Sequence, residues 1–286
     1  MKYITIDELN RTIRKNFHLI PHDVDFVIGV PRSGMLPATI ISELLNCPLI
    51  DLNSFLRGSK PSGGLRLQFR KDNALQGKRK ALVIDDTIFN GRSMRETRSL
   101  LGGFSKYIDF TYMVVYKEGK SSYVDIFLED VSMEAKPIVL YEWNIFHHYD
   151  EIMGKCVYDI DGVLCPNPPD ERNENKYIDY ISTAKPLFIP SNTLGAICTY
   201  RLEKNRAITE NWLTSQGVRY KELVMFPSDS WDGRNRSGIS PEKFKANYYK
   251  SQPWAELFVE SDDHQARKIA ELSGKPVFCV ESNKMY

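Results

Sequence analysis

The sequence predicts an α/β protein of two domains, each a mainly parallel sheet flanked by helices. Apolar strand-like runs alternate with segments of helical periodicity, the pattern of a parallel sheet with crossover helices. The alternation restarts near Gly154. Two of the strand-like runs end in paired carboxylates, "VIDD" at Asp85 and Asp86 and "VYDID" at Asp159 and Asp161. A chain of 286 residues suits two domains of ordinary size, placed here at 1–153 and 154–286.

Taken in order, "TIDELNRTIRKNF" carries Ile6, Leu9, Ile13 and Phe17 at helical spacing, and Thr5 with Glu8 forms a capping box. "DFVIGV" is a strand that ends in the turn "PRSG", and "LPATIISELLN" is the helix after it. The stretch 53–80 is non-periodic, rich in glycine, serine and basic residues, and is expected as a long loop with a task. "KALVIDD" is a strand, "FNGRS" a loop, and "MRETRSLLGGF" a helix with glycines at its end. "DFTYMVVY" and "VDIFLED" are further strands.

The second half opens with the strand in "KCVYDIDGVL", followed by the strand "LGAICTY", the helix "EKNRAITENWLTSQG" and the strand "KELVMF". "SPEKFKANYYK" begins a helix with Ser240 as cap and Pro241 at its first position. "AELFVES" and "KPVFCVE" are strands on either side of the helix "HQARKIAELSG". Two polar excursions, 166–195 and "FPSDSWDGRNRSG" (226–238), read as a small flap or helices and as a loop.

Composition narrows the function. A formal net charge of +1 lacks the basic field of a nucleic-acid or membrane-surface binder. No apolar run approaches the ~20 residues of a membrane helix, and "MKYITIDELN" has no apolar core of a signal peptide. The five cysteines never form C-x-x-C, which points to a reducing cytoplasm and no structural zinc.

Two carboxylates at a strand's carboxyl end suit a sugar-phosphate ligand, because ligands of parallel sheets bind there. Asp85 and Asp86 are placed to accept from vicinal ribose hydroxyls; capping of the turn is the simpler alternative. Backbone N–H groups between Thr87 and Ser93, freed by Gly91, are placed to cradle a phosphate at a helix N-terminus, with hydroxyls from Thr87 and Ser93.

"ALVIDDTIFNGRSM" resembles the phosphoribosyl-pyrophosphate (PRPP) signature of type I phosphoribosyltransferases, and "FVIGVPRSGMLPA" upstream resembles that family's pyrophosphate loop. The resemblance implies that Asp85 and Asp86 hold the ribose hydroxyls, and that Thr87, Asn90, Gly91, Arg92 and Ser93 surround the 5′-phosphate. Pro31, Arg32, Ser33 and Gly34 would meet the pyrophosphate together with magnesium. The loop within 53–80 would close over the reaction, with Arg57, Lys60, Arg66 and Arg70 available to the leaving pyrophosphate. Ile88, Phe89 and Arg92 are bulky where the family has small residues. The acceptor hood should lie in "YEWNIFHH", with Trp143 or Phe146 stacking on a flat base, unless these aromatics pack the domain boundary. Such enzymes are often homodimers.

"VYDIDGVL" resembles the first motif of the haloacid dehalogenase (HAD) superfamily. By that resemblance Asp159 is the nucleophile toward phosphorus and Asp161 the acid and base. Magnesium neutralises the site through Asp159, Asp161, Glu260 and Asp262. Thr199 matches the second motif, in the run "TYRLEKNRAITENWL" typical of the T-x-R branch. Lys245 is the choice for the third-motif lysine and Lys243 the runner-up; Asp263 is expected to cap the following helix.

Together the resemblances imply a bifunctional enzyme, with magnesium as cofactor and small molecules as partners. It would transfer phosphoribose from PRPP to a base-like acceptor and then remove the 5′-phosphate, a phosphate monoester, through an aspartyl phosphate. A PRPP- or nucleotide-sensing module fused to an independent phosphatase is the alternative.

Overall fold

The computed structural model describes residues 1–64, 78–119, 122–132, 138–169 and 173–286. The chain divides into two compact units, Lys2–Trp143 and Asn144–Tyr286.

The first unit is built from β1 (Lys2–Ile4), α1 (Ile6–Lys15), β2 (Phe26–Gly29), α2 (Met35–Leu45), β3 (Leu49–Asp51), α3 (Leu52–Leu56), β4 (Arg79–Ile88), α4 (Arg92–Leu101), β5 (Ile108–Lys117), β6 (Ile126–Asp130) and β7 (Val139–Tyr141). Five of these strands form a wholly parallel sheet in the order β3-β2-β4-β5-β6. Successive side chains of a strand face opposite ways, so each strand feeds two cores. Val27, Leu82, Ile84 and Met113 pack with Leu9 and Ile13 of α1 and Ala38 and Ile41 of α2. Phe26, Ile28, Val83 and Val114 pack on the other side with Phe55 of α3 and Met94 and Leu101 of α4. The expected cap of α1 is present, with Thr5 Oγ1 accepting from the Glu8 N–H at 3.1 Å.

Three features of this unit differ from the sequence expectation. The stretch 53–80 is not one loop: it includes most of α3, a bridge between Leu49 and Ser62, and the start of β4. Arg66 and Arg70 lie outside the described residues. The strand β4 continues two residues past the acidic pair to Ile88, because Thr87 and Ile88 still pair with Tyr116 and Lys117 of β5. The N-terminal β1, unread in the sequence, pairs in parallel with β7, Lys2 opposite Val139.

The second unit contains α5 (Asp150–Met153), β8 (Cys156–Tyr158), α6 (Glu174–Thr183), β9 (Ala196–Leu202), α7 (Arg206–Ser215), β10 (Leu223–Phe226), α8 (Trp231–Ser237), α9 (Pro241–Ser251), β11 (Leu257–Glu260), α10 (Asp263–Ser273), β12 (Val277–Cys279) and β13 (Lys284–Met285). Its sheet runs β10-β9-β8-β11-β12-β13, parallel except for the antiparallel β12–β13 pair. Val157, Cys198, Phe258 and Val277 bury against Ala246 and Tyr249 of α9 and Ile269 of α10. The excursion 226–238 is not a loop: Ser230 caps α8 by accepting from the Gly233 N–H. Among the described residues, the excursion 166–195 holds one helix, α6. All five cysteines are free thiols, four of them buried, and no helix among the described residues is long and apolar enough to cross a membrane.

Candidate active sites at two switch points

Each sheet changes direction of growth once. In the first unit the chain goes from β2 to β3 on one side and to β4 on the other. In the second it leaves β8 for β9 and β10, then returns to β11 on β8's other side. A crevice opens beyond the carboxyl ends of the two strands flanking such a reversal, and open α/β sheets bind ligands there. The two acidic motifs of the sequence sit at these two places.

In the first unit the turn after β2 meets the end of β4. Ser33 Oγ donates to Asp86 Oδ1 at 3.0 Å, and Val30 N–H donates to the Ile84 carbonyl at 2.9 Å. The Pro31–Arg32 peptide is cis. Gly34 is needed for the approach, since a Cβ there would stand 2.5 Å from the Val30 oxygen and 2.8 Å from Asp85 Oδ1. Because the acids are adjacent on a strand, they face opposite sides of the sheet. Asp85 turns toward α4, accepting from Ser93 Oγ at 3.2 Å and from the Asp86 N–H at 3.0 Å. Asp86 turns the other way and accepts from the Trp143 indole Nε1 at 2.7 Å and from the Thr87 N–H at 2.9 Å.

Both acids are buried, at 8% and 4% exposure. Burial, then the neighbouring Asp86 charge, holds the Asp85 carboxyl well above the usual carboxylate range. Of the backbone donors expected to cradle a phosphate, the Thr87 N–H goes to Asp86 and the Arg92 N–H to Asn90 Oδ1. Gly91, with φ of 74°, provides the left-handed step into α4, and Phe89 is exposed. Trp143 also packs on Tyr141, ring centres 4.9 Å apart. Phe146 belongs to the second unit, where it stacks on Phe188 at 4.6 Å.

In the second unit Asp159, Asp161, Thr199, Lys245, Glu260 and Asp262 line one cavity of about 250 Å³. β8 stops at Tyr158 and both aspartates follow it in a turn, so they do not lie on one strand face. The Asp159 N–H bonds the Val259 carbonyl of β11 at 3.0 Å. Gly162 has a φ of 80°, and a Cβ there would stand 2.2 Å from Ser261 Oγ. That hydroxyl donates to the Asp161 carbonyl oxygen at 3.1 Å, closing the turn onto the end of β11.

Lys245 is almost fully buried and donates to Asp159 Oδ2 and Glu260 Oε2, both at 2.7 Å, and to Gln265 Oε1 at 3.1 Å. Lys243, two residues away on α9, is exposed. Burial works to lower the Lys245 pKa, but the two carboxylates outweigh it and keep the ammonium charged. Burial raises the Asp159 carboxyl to about 7, against the pull of Lys245 and with a push from Glu260 and Asp161.

Arg201 grips Asp161 with both ends of its fork, Nε to Oδ2 at 2.9 Å and Nη2 to Oδ1 at 2.6 Å. Its Nη1 is buried with no hydrogen-bond partner. Asp262, not Asp263, caps α10, accepting from the Gln265 N–H at 2.7 Å; Asp263 instead bonds Tyr286 and Arg267. Sequence reasoning gave no role to Arg201 or Gln265. The T-x-R run contained the signal for Arg201, and Gln265 had none beyond its place after the acidic cluster.

Among the described residues, no three His, Cys, Asp or Glu side chains form a ready-made metal cage. A magnesium ion does not require one, since it binds through one or two carboxylates and completes its shell with water and substrate phosphate. The four carboxylates of this cavity are hard oxygen donors of the right type, so the residues fit such an ion.

Residues 3–122 match the phosphoribosyl transferase domain family. Xanthine-guanine phosphoribosyltransferases of Chromohalobacter salexigens and Idiomarina loihiensis are each 26% identical to this chain over 152 residues. The match covers 52% of this chain and 86% and 90% of theirs. Among solved structures, the Helicobacter pylori xanthine-guanine-hypoxanthine phosphoribosyltransferase is similar at 18% identity and a TM-score of 0.31, over 49% of this chain and 92% of that one.

Proposed function

We propose, from the phosphoribosyltransferase domain that residues 3–122 carry, that the chain is a two-site enzyme. Residues 1–153 transfer phosphoribose from PRPP to a base-like acceptor; residues 154–286 remove the 5′-phosphate of the product. The observation that carries this reading is the gathering of buried carboxylates at the switch point of each sheet.

At the first site Asp85 and Asp86 accept from the ribose hydroxyls. The Asn90–Ser93 turn, with Thr87 beside it, binds the 5′-phosphate, and Pro31 to Gly34 face the pyrophosphate. The Ser33–Asp86 bond supports this, because it ties the pyrophosphate turn to the ribose-binding acids. Trp143, bonded to Asp86, borders the place where the acceptor must sit for attack at the ribose.

At the second site Asp159 attacks phosphorus and forms an aspartyl phosphate, while the leaving alkoxide takes a proton from Asp161. Water then attacks the aspartyl phosphate, Asp161 accepts its proton, and Asp159 is regenerated. Lys245 and Thr199 hold the transferred group's oxygens, and the unpartnered Nη1 of Arg201 offers a further donor to them. A phosphoryl anion entering beside Arg201 competes for the guanidinium and loosens its grip on Asp161. Magnesium, held by Asp159 and Asp161 with Glu260 and Asp262, supplies charge neutralisation when bound.

A second reading is favoured by one observation: Ser93, Ser33 and Trp143 already occupy oxygens of Asp85 and Asp86. In that reading the first unit senses PRPP or a nucleotide without turning it over. Mass spectrometry after incubation with PRPP, magnesium and a panel of bases decides. A ribosyl 5′-phosphate that accumulates with Asp159→Asn and appears dephosphorylated with wild type supports the two-site enzyme. Tight PRPP binding with no pyrophosphate released for any base supports the sensor.

A further inference from the structure

The Lys245 ammonium has three N–H groups, and each already has an acceptor. Asp159 Oδ2 and Glu260 Oε2 take two of them at 2.7 Å, and Gln265 Oε1 takes the third at 3.1 Å. Its hold on a phosphoryl anion is therefore through charge, and hydrogen bonds to that anion's oxygens have to come from other residues of the same cavity. Thr199 offers its hydroxyl and Arg201 its unpartnered Nη1. Gln265 also lines this cavity, and the chemistry above gives it nothing to do.

An ammonium only donates, so the atom that Gln265 turns to Lys245 has to be its carbonyl oxygen. The amide is planar, which places Nε2 on the other arm of the fork, away from the ammonium. Nε2 has no hydrogen-bond partner among the described residues, and it is not one of the buried polar atoms left without one. Gln265 is half-buried, so these two N–H groups are within reach of a ligand. The residue is tied at both ends. At the start of α10 its backbone N–H donates to Asp262 Oδ1 at 2.7 Å, and at the tip Lys245 holds Oε1. The direction of Nε2 is thus set before a ligand arrives, the preorganisation that makes a donor effective toward developing negative charge. A neutral donor also leaves the pairing of Lys245 with Asp159 and Glu260 intact, whereas a second cation here would compete for both carboxylates.

We propose that Gln265 is a catalytic residue of the Asp159 site, with Nε2 donating to an oxygen of the transferred phosphoryl group while Oε1 stays on Lys245. This rests on the phosphatase reading of the second unit and adds a residue to its machinery. Phosphorus–oxygen cleavage proceeds as above; Gln265 forms no covalent bond and exchanges no proton.

The test is a titration of the full-length protein with inorganic phosphate in the presence of magnesium, read as the rise of the thermal midpoint. Gln265→Met keeps the length of the side chain and removes both donor and acceptor. Gln265→Glu keeps an acceptor for Lys245 and removes the donor. Both should weaken phosphate binding about tenfold or more, the equivalent of one hydrogen bond to a charged group. Without phosphate, the Gln265→Glu midpoint should stay at or above that of wild type. Phosphate affinity within twofold of wild type for Gln265→Met overturns the proposal. Affinity lost in Gln265→Met but restored in Gln265→Glu overturns it too, because that pattern leaves Gln265 only the positioning of Lys245. Hydrolysis of acetyl phosphate by wild type tests the phosphatase reading separately. Its absence sinks that reading, while the phosphate titration still decides whether Gln265 is a donor to the anion.

Discussion

Lys245 donates to Asp159 at 2.7 Å although 86 residues separate them in the chain. The same ammonium neutralises Glu260, and all three groups are buried. Removing one member of a buried ion cluster leaves uncompensated charge, which typically costs about 3–5 kcal/mol. Lys245→Met is therefore expected to lower unfolding stability by about that amount in urea titrations and to abolish phosphate monoester hydrolysis. An unchanged midpoint and slope would mean that Lys245 does not sit between the two carboxylates.

Asp86 provides a test of the first site. Asp86→Asn keeps the shape but removes the charge that accepts from Ser33, Thr87 and Trp143. Hydrogen bonds to a charged group contribute about 1.5–3 kcal/mol each. Losing the equivalent of one toward a ribose hydroxyl should weaken PRPP binding roughly 10- to 100-fold by titration calorimetry. Affinity within a factor of two of wild type would remove Asp86 from the PRPP site.

Two glycines carry backbone that no larger residue fits. A Cβ at position 34 would lie 2.5 Å from the Val30 oxygen, and one at position 162 would lie 2.2 Å from Ser261 Oγ in a left-handed turn. Gly34→Ala should reduce PRPP binding and leave phosphate monoester hydrolysis intact; Gly162→Ala should do the reverse. Separate loss of each activity, assayed on the same preparations, is the expected pattern, and simultaneous loss of both in either variant would contradict it.

His148 makes stability depend on pH. Burial lowers its pKa from 6.5 to about 4, so the folded protein keeps the ring neutral where the unfolded chain binds a proton. Its contribution is fully present above about pH 6.5 and is lost as the pH falls toward 4, amounting to at most about 3 kcal/mol. His148→Phe should flatten the fall of the thermal midpoint across that window. A parallel fall in both proteins would assign the dependence to other groups.

Much of this was legible in the sequence, for identifiable reasons. The strands of both sheets are buried on two faces and read as continuous apolar runs bounded by polar turns. The helix starts at Thr5 and Ser240 were signalled by local capping chemistry. What periodicity cannot express is pairing across long separations, which hid the β1–β7 pair and the extension of β4 to Ile88. The helix α8 was read as a loop because its polar sequence has no apolar stripe; Arg234 is buried against the rings of Trp231 and Tyr200 instead, a contact made in three dimensions. At the sites the sequence marked the acids, and Asp161's partner Arg201 was in view without a role. The choice between Lys243 and Lys245 depended on which side of α9 faces the cavity, and between Asp262 and Asp263 on which carboxylate reaches the Gln265 N–H.

The parallel pairing of Lys2–Ile4 with Val139–Tyr141 has a consequence for biosynthesis. Residues 2–4 wait for a partner translated more than a hundred codons later, so the unit cannot be completed until that strand emerges. Domains generally fold as units while translation proceeds at roughly 5–20 residues per second. The β1 segment therefore spends several seconds as an unmatched edge in the nascent chain. Rare codons placed just before position 139 would prolong that interval and raise the demand for chaperones.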